Sequence, residues 1–199
     1  MMTLDKFEEA SEKVKEVVLP TNLIYSEYFS EQTGNKVYLK PENMQYTGDY
    51  KISTMSSDER EKGLITASAG NHAQGVAYAA KLYGVPATIV MPTTTPLIKV
   101  NRTKGYGANV VLHGSVYDEA CQKALELAEK SGATFVHPFN DETVATGQGT
   151  IAMEIFKELP TVDIILVPIG GGGLAAGVST LAKLLNPNIK VIGVEPAGA

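Results

Sequence analysis

At 199 residues and 44% apolar content, the chain is long enough for one ordinary domain or two small ones around a real core. A net charge of −5, with no Lys/Arg cluster, argues against nucleic acid or an acidic membrane surface as partner. No apolar run approaches the roughly 20 residues of a membrane span and the N-terminus lacks a signal-peptide core, so a cytoplasmic setting is expected. The single cysteine, Cys121, excludes a disulfide framework and any Cys-rich metal site, and beside Ala120 and Ala124 it reads as a small buried hydrophobe.

In chain order, Leu4 to Val18 reads as an amphipathic helix with Phe7, Ala10, Val14 and Val17 or Val18 on one face, stopped by Pro20. Thr21 to Tyr28 has no clear period. The turn Thr33-Gly34-Asn35 precedes a short strand, Lys36 to Lys40, and Pro41 to Lys51 is a polar loop. From Gly63 onward strands are predicted at Leu64 to Ala67, Ala87 to Met91, Asn109 to His113 and Thr134 to His137. Helices alternate with them. One carries Ala73, Val76, Ala77 and Ala80; a shorter one spans Pro96 to Tyr106; the third opens at Ser115. A further helix at about Gly149 to Leu159 leads to the strand Ile164 to Ile169, an apolar β-branched run expected to be buried on both faces. The last strand is Lys190 to Val194. Such alternation predicts an α/β fold with parallel sheets and right-handed crossovers. A sheet stopping just after Val194 leaves the Ile164 strand few partners, so the fold is expected to be incomplete at the C-terminus.

Four glycines, Gly170 to Gly173, separate that strand from a helix whose apolar positions are Leu174, Val178, Leu181 and Leu185. Bare backbone delivered to a helix N-terminus is an anion site, because unpaired amides point outward and no Cβ blocks approach. A phosphate-bearing cofactor is therefore expected there. Gly171, Gly173 and Ala176, with Glu195 after the next strand, also fit the nicotinamide dinucleotide fingerprint, which keeps that cofactor as an alternative.

A second turn of small residues, Ser68-Ala69-Gly70-Asn71-His72, again joins strand to helix and suits a carboxylate or a phosphate, although Ser and Asn also serve as ordinary helix caps. His113 and His137 read as structural. Lys51, in the polar loop, is a candidate amine. A phosphate cradle, a carboxylate cradle and an amine form the set that pyridoxal 5'-phosphate needs when it works on an amino acid.

The segments Glu42-Asn-Met-Gln-Tyr-Thr-Gly-Asp-Tyr-Lys51, Ser68-Ala-Gly-Asn-His-Ala-Gln-Gly75, Gly147-Gln-Gly-Thr150 and Pro168-Ile-Gly-Gly-Gly-Gly-Leu174 resemble the threonine/serine dehydratases (threonine ammonia-lyases) of pyridoxal-phosphate fold type II. The resemblance covers nearly the whole chain. It implies a two-lobed, tryptophan synthase β-like fold with parallel twisted sheets, residues 46–141 forming the small domain and 1–45 with 142–199 part of the large one. It also implies a Schiff base at Lys51, phosphate binding by Gly170, Gly171, Gly172, Gly173 and Leu174, and a hydrogen bond from Asn71 to the ring hydroxyl. The substrate carboxylate would lie on Ser68, Ala69, Gly70, Asn71 and His72. The implied reaction is β-elimination from threonine or serine, in threonine catabolism or isoleucine biosynthesis, by a cytoplasmic homo-oligomer. A serine racemase, an inactive ligand-binding or regulatory fragment and the nicotinamide enzyme are the alternatives.

Two departures from the family pattern stand out. The family's Ser-x-Lys-x-Arg-Gly-Ala around the lysine is replaced, with Asp49 for the Ser and Ile52-Ser53 for x-Arg. About seven residues are missing, or ~10 Å of helix. Family members carry Tyr-Lys at both edges of the missing segment, so Lys51 matches the second, non-catalytic lysine as well as the first. The other departure is that the residues that would hold the pyridine nitrogen, or complete a metal site begun by Glu195, have no counterpart. No metal is assigned.

Overall fold

The computed structural model describes residues 1–45, 50–138 and 140–198, with the backbone alone at Tyr50. Helix α1, Leu4–Val14, buries Phe7, Ala10 and Val14, the face that its period predicts. A short antiparallel ribbon follows, made of β1 (Ile24–Tyr25) and β2 (Tyr38–Leu39). Between them lies α2, Glu27–Thr33, which sequence reading missed and which begins at the end of the stretch Thr21 to Tyr28 that has no clear period; the Ser26 hydroxyl caps it by accepting from Phe29 N, and Gly34 ends it in the left-handed conformation. Lys51 sits in a 3-10 turn, Tyr50–Thr54, which is followed by α3, Ser57–Lys62. Sequence reading missed α3, whose residues SDEREK carry no apolar face. The visible signal was the capping box: Ser56 Oγ accepts from Glu59 N, while the Glu59 carboxylate accepts from Ser56 N at 2.8 Å.

The regular part then runs β3 (Leu64–Ala67), α4 (Asn71–Tyr83), β4 (Ala87–Met91), α5 (Leu97–Gly105), β5 (Asn109–Leu112), α6 (Tyr117–Ser131), β6 (Thr134–Phe135), α7 (Glu142–Glu158), β7 (Ile164–Pro168), α8 (Gly173–Leu185) and β8 (Lys190–Val194). Strands β5-β4-β3-β6 form one parallel sheet. Its central strand β3 is buried throughout. Leu64, Ile89 and Met91 meet Ala73, Val76, Ile52 and Val144 on one side, and Ile65, Ala67 and Val90 meet Ala120, Ala124 and Ala128 on the other. Strands β7 and β8 pair in parallel as a separate two-stranded sheet, packed on α8, α7 and α1 through Ile165, Val167, Val178, Leu181, Ala152 and Phe7.

Three expectations need correction. The β7 strand is buried on one face only: Ile165 and Val167 face α8, whereas Ile164 and Leu166 are exposed, because no described residue packs over that side. Helix α7 begins at Glu142, about two turns before the expected start. Gly147 and Gly149 both lie in the helix, and at Gly149 bare backbone lets α8 come close. Helix α6 starts at Tyr117, and Ser115 stands just outside it, donating from its amide and hydroxyl to Glu119.

Candidate active site

The two turns singled out in sequence occupy equivalent places, each at the carboxyl end of a parallel strand and at the start of the following helix. The Ser68–Gly70 turn joins β3 to α4, and Ile169–Gly172 joins β7 to α8. Neither helix has a side-chain cap or an acidic residue in its first turn. At α8 no side-chain cap stands on the first amides, and the positive dipole end lies behind them. In α8 the first helical bond is Ala176 N to Gly172 O, 2.8 Å. Gly172 has φ +88°, a conformation that side chains resist, and a Cβ placed on Gly170 or Gly172 would touch nothing within 4 Å. The glycines therefore face open space rather than packed protein, which is what a phosphate at this helix start requires. Gly173 is buried and begins the helix.

In the other turn Ser68 N donates to Val90 O at 3.2 Å, and Gly70 N donates to Ser68 Oγ at 3.2 Å. Of the amides expected to receive a carboxylate, that of Gly70 is thus already taken, while the Ser68 hydroxyl keeps its own hydrogen to donate. Ala69 and Gly70 are half-buried, and Asn71 begins α4 at the surface. His72 Nε2 lies 3.4 Å from Val136 O, tying this turn to the segment that follows β6.

That segment leads to Asp141, which sequence reading did not single out. Its Oδ1 caps α7 by accepting from Thr143 N at 2.7 Å and Val144 N at 3.4 Å. Its Oδ2 lies 3.0 Å from Lys51 Nζ. Burial pushes the Asp141 carboxyl up, but the Lys51 hydrogen bond and the Thr143 and Val144 amides outweigh it and hold the group below the ordinary carboxylate value. The signal in sequence was an Asp immediately before Glu142-Thr143-Val144, a usual helix start.

Helix α7 joins the two turns. Strand β6, which precedes it, pairs with β3, so Asp141 and the Ser68 turn leave neighbouring strands at the same end. Farther along, α7 crosses α8 so closely that a Cβ on Gly177 would stand 2.0 Å from Ala145 O and 2.7 Å from Gly149 N. Asp141 precedes Ala145 by four residues and Gly173 precedes Gly177 by four, so each helix start is about 6 Å along its axis from the crossing. Lys51, both turns and the start of α7 therefore belong to one region. The segment Tyr46-Thr47-Gly48-Asp49, on which part of the family resemblance rests, lies outside the described residues.

Residues 14–199 match the family model described as pyridoxal-phosphate dependent enzyme. The chain belongs to the pyridoxal-phosphate-dependent enzyme family. It is 52% identical over 202 residues to an L-threonine ammonia-lyase of Thermotoga maritima, covering 98% of this chain and 50% of that protein. It is 50% identical over 206 residues to an L-threonine ammonia-lyase of Geobacter sulfurreducens, covering 100% of this chain and 51% of the relative. Its structure resembles the processed form of threonine deaminase isoform 2 from Solanum lycopersicum with a TM-score of 0.89 and 43% identity, over 100% of this chain and 61% of the other. The chain thus spans about half the length of the curated relatives it matches. The architecture is the α/β, tryptophan synthase β-like arrangement of fold type II, with parallel sheets as expected. These matches set aside the nicotinamide fingerprint; Glu195 stands exposed after β8. The family's cofactor is pyridoxal 5'-phosphate, and the bare α8 start behind open glycines fits its phosphate. The Geobacter alignment runs over 206 positions against 199 residues here, an excess of seven.

Proposed function

We propose that the full-length protein eliminates the β-hydroxyl of L-threonine, and of L-serine, to release a 2-oxo acid and ammonia. The observation that carries this reading is the meeting of a phosphate-type turn, a carboxylate-type turn and a part-buried lysine around the start of α7, in a chain about half identical to L-threonine ammonia-lyases. Gly170 to Gly173 and Leu174 would hold the cofactor phosphate and Asn71 its ring hydroxyl. Ser68 to His72 would fix the substrate carboxylate, through amides and the Ser68 hydroxyl, and so orient the Cα–H bond. Lys51 is the candidate amine for attachment and for moving the proton at Cα. When bound, pyridoxal phosphate supplies an electron sink for the charge left at that carbon. With 46–141 as a small domain and 1–45 with 142–199 part of a larger one, the site would lie between lobes, as substrate access requires. The reading carries with it a cytoplasmic homo-oligomer. Among the described residues, no helix is long and apolar enough to cross a membrane.

One observation favours a second reading, ligand binding without turnover. Lys51 lies in a five-residue 3-10 turn rather than at the start of an α-helix, and the family segment around it is shorter by about two turns. Release of 2-oxobutyrate from threonine by the full-length protein tests the first reading. Cofactor absorbance without 2-oxobutyrate would replace it with the second.

A further inference from the structure

We infer that Asp141 is the counter-ion that holds Lys51 in its resting position, and that covalent attachment of the cofactor must displace this carboxylate. The inference rests on the reading of Lys51 as the attachment amine. Both sides of the contact are built. Asp141 is oriented by the two amides that it caps, so its free oxygen is aimed before Lys51 arrives. Lys51 is anchored by its neighbours: Ile52 is fully buried and Met55 nearly so, in the cluster that contains Ala73 and Val144, and Thr54 Oγ donates to Lys51 O at 2.7 Å. The two side chains are 25% and 17% exposed, so solvent and salt screen this pair less than a surface one. Glu59, at the start of α3, adds a further negative charge within electrostatic reach of Lys51, although its own carboxylate is held mainly by Ser56.

Attachment converts the ammonium to a neutral amine, with the proton leaving to solvent. The nitrogen lone pair then adds to the aldehyde carbon of pyridoxal phosphate, and a C=N bond forms as one water departs. No oxidant or reductant is needed. Attachment must break the 3.0 Å contact with Asp141, so the carboxylate opposes it by the strength of that contact. Asp141 is thus a positioning residue: it stores Lys51 beside α4 and α7 and sets how readily the amine is released.

The test uses Asp141→Asn, which keeps the helix cap because Asn and Asp cap equally well, and removes the charge. The full-length protein and the variant are incubated with subsaturating pyridoxal phosphate, reduced with borohydride, digested and mapped by mass spectrometry. At low salt the labelled fraction at Lys51 should rise about fivefold in the variant, the range of a partly screened ion pair. The two proteins should converge as sodium chloride increases, because screening weakens the contact only in the parent. A merely structural role predicts neither the rise nor the convergence. Equal labelling at low salt, or less in the variant, overturns the inference and leaves Lys51 as the attachment site. No label at Lys51 in either protein overturns the attachment reading and the inference together. A thermal melt confirms folding, and Asp141→Ser, which also caps, replaces the Asn variant if that one fails to fold.

Discussion

A glycine can be required by the backbone or by what approaches it, and Gly170 and Gly172 separate the two cases. Gly172 has positive φ, so alanine there strains the turn whatever binds; Gly170 does not, and its added methyl would meet open space. Gly170→Ala should leave the melting temperature within about 2 °C of the parent. It should still weaken pyridoxal phosphate binding about tenfold or more, read by absorbance titration, because the methyl enters the phosphate's space. Unchanged affinity would remove this turn from the site. Asp141 gives the pH counterpart. Its carboxyl is depressed in the folded protein, so the stability it contributes is present above the unfolded value near 3.8 and is lost as pH falls through the lower folded value. Urea midpoints measured from about pH 5 to pH 2 should fall less steeply for Asp141→Asn than for the parent.

At the scale of elements, the α7–α8 crossing carries the largest mechanical demand. A methyl on Gly177 would meet Ala145 O and Gly149 N, both backbone atoms that cannot rotate away, and one on Gly149 would strike Phe7, which is fully buried. Gly177→Ala should therefore cost on the order of 3 kcal/mol in denaturant unfolding, by pushing two helices apart. The same crossing explains what was legible in sequence. Strands β3, β4, β5 and β8 and helices α4 and α8 announce themselves by period and by small-residue turns, and with them came both anion turns. Helix α3 stayed hidden because its surface is polar all round, and the early part of α7 because Gly149 serves packing, a purpose visible only once α8 is in place. Asp141 was overlooked for a related reason: its partner Lys51 is 90 positions away, and nothing local marks an ion pair of that span.

For the whole molecule, the exposed face of the β7–β8 sheet matters most. Ile164, Leu166, Ile192 and Val194 present a continuous apolar strip, with Leu166 66% exposed. A protein of these 199 residues should self-associate, visible as concentration-dependent light scattering, and Leu166→Lys should reduce it. The same protein should release 2-oxobutyrate from threonine at no enzymatic rate, since it spans only about half the length of the L-threonine ammonia-lyases it matches and leaves the sheet behind α8 uncovered; robust turnover would show that these residues alone complete the site. The two-residue strand β6 adds a consequence in time. It joins β3 across some seventy positions of chain, held by Thr134 N to Gly63 O, Val136 N to Ile65 O and the buried Thr66 hydroxyl donating to Val136 O at 2.7 Å. A long closure rewarded by so few bonds is made late and reopened early. In amide exchange, Val136 should lose protection before the β4 amides do. Because β6 delivers the start of α7, the region around Lys51 would be the last part of this molecule to assemble and the first to come apart.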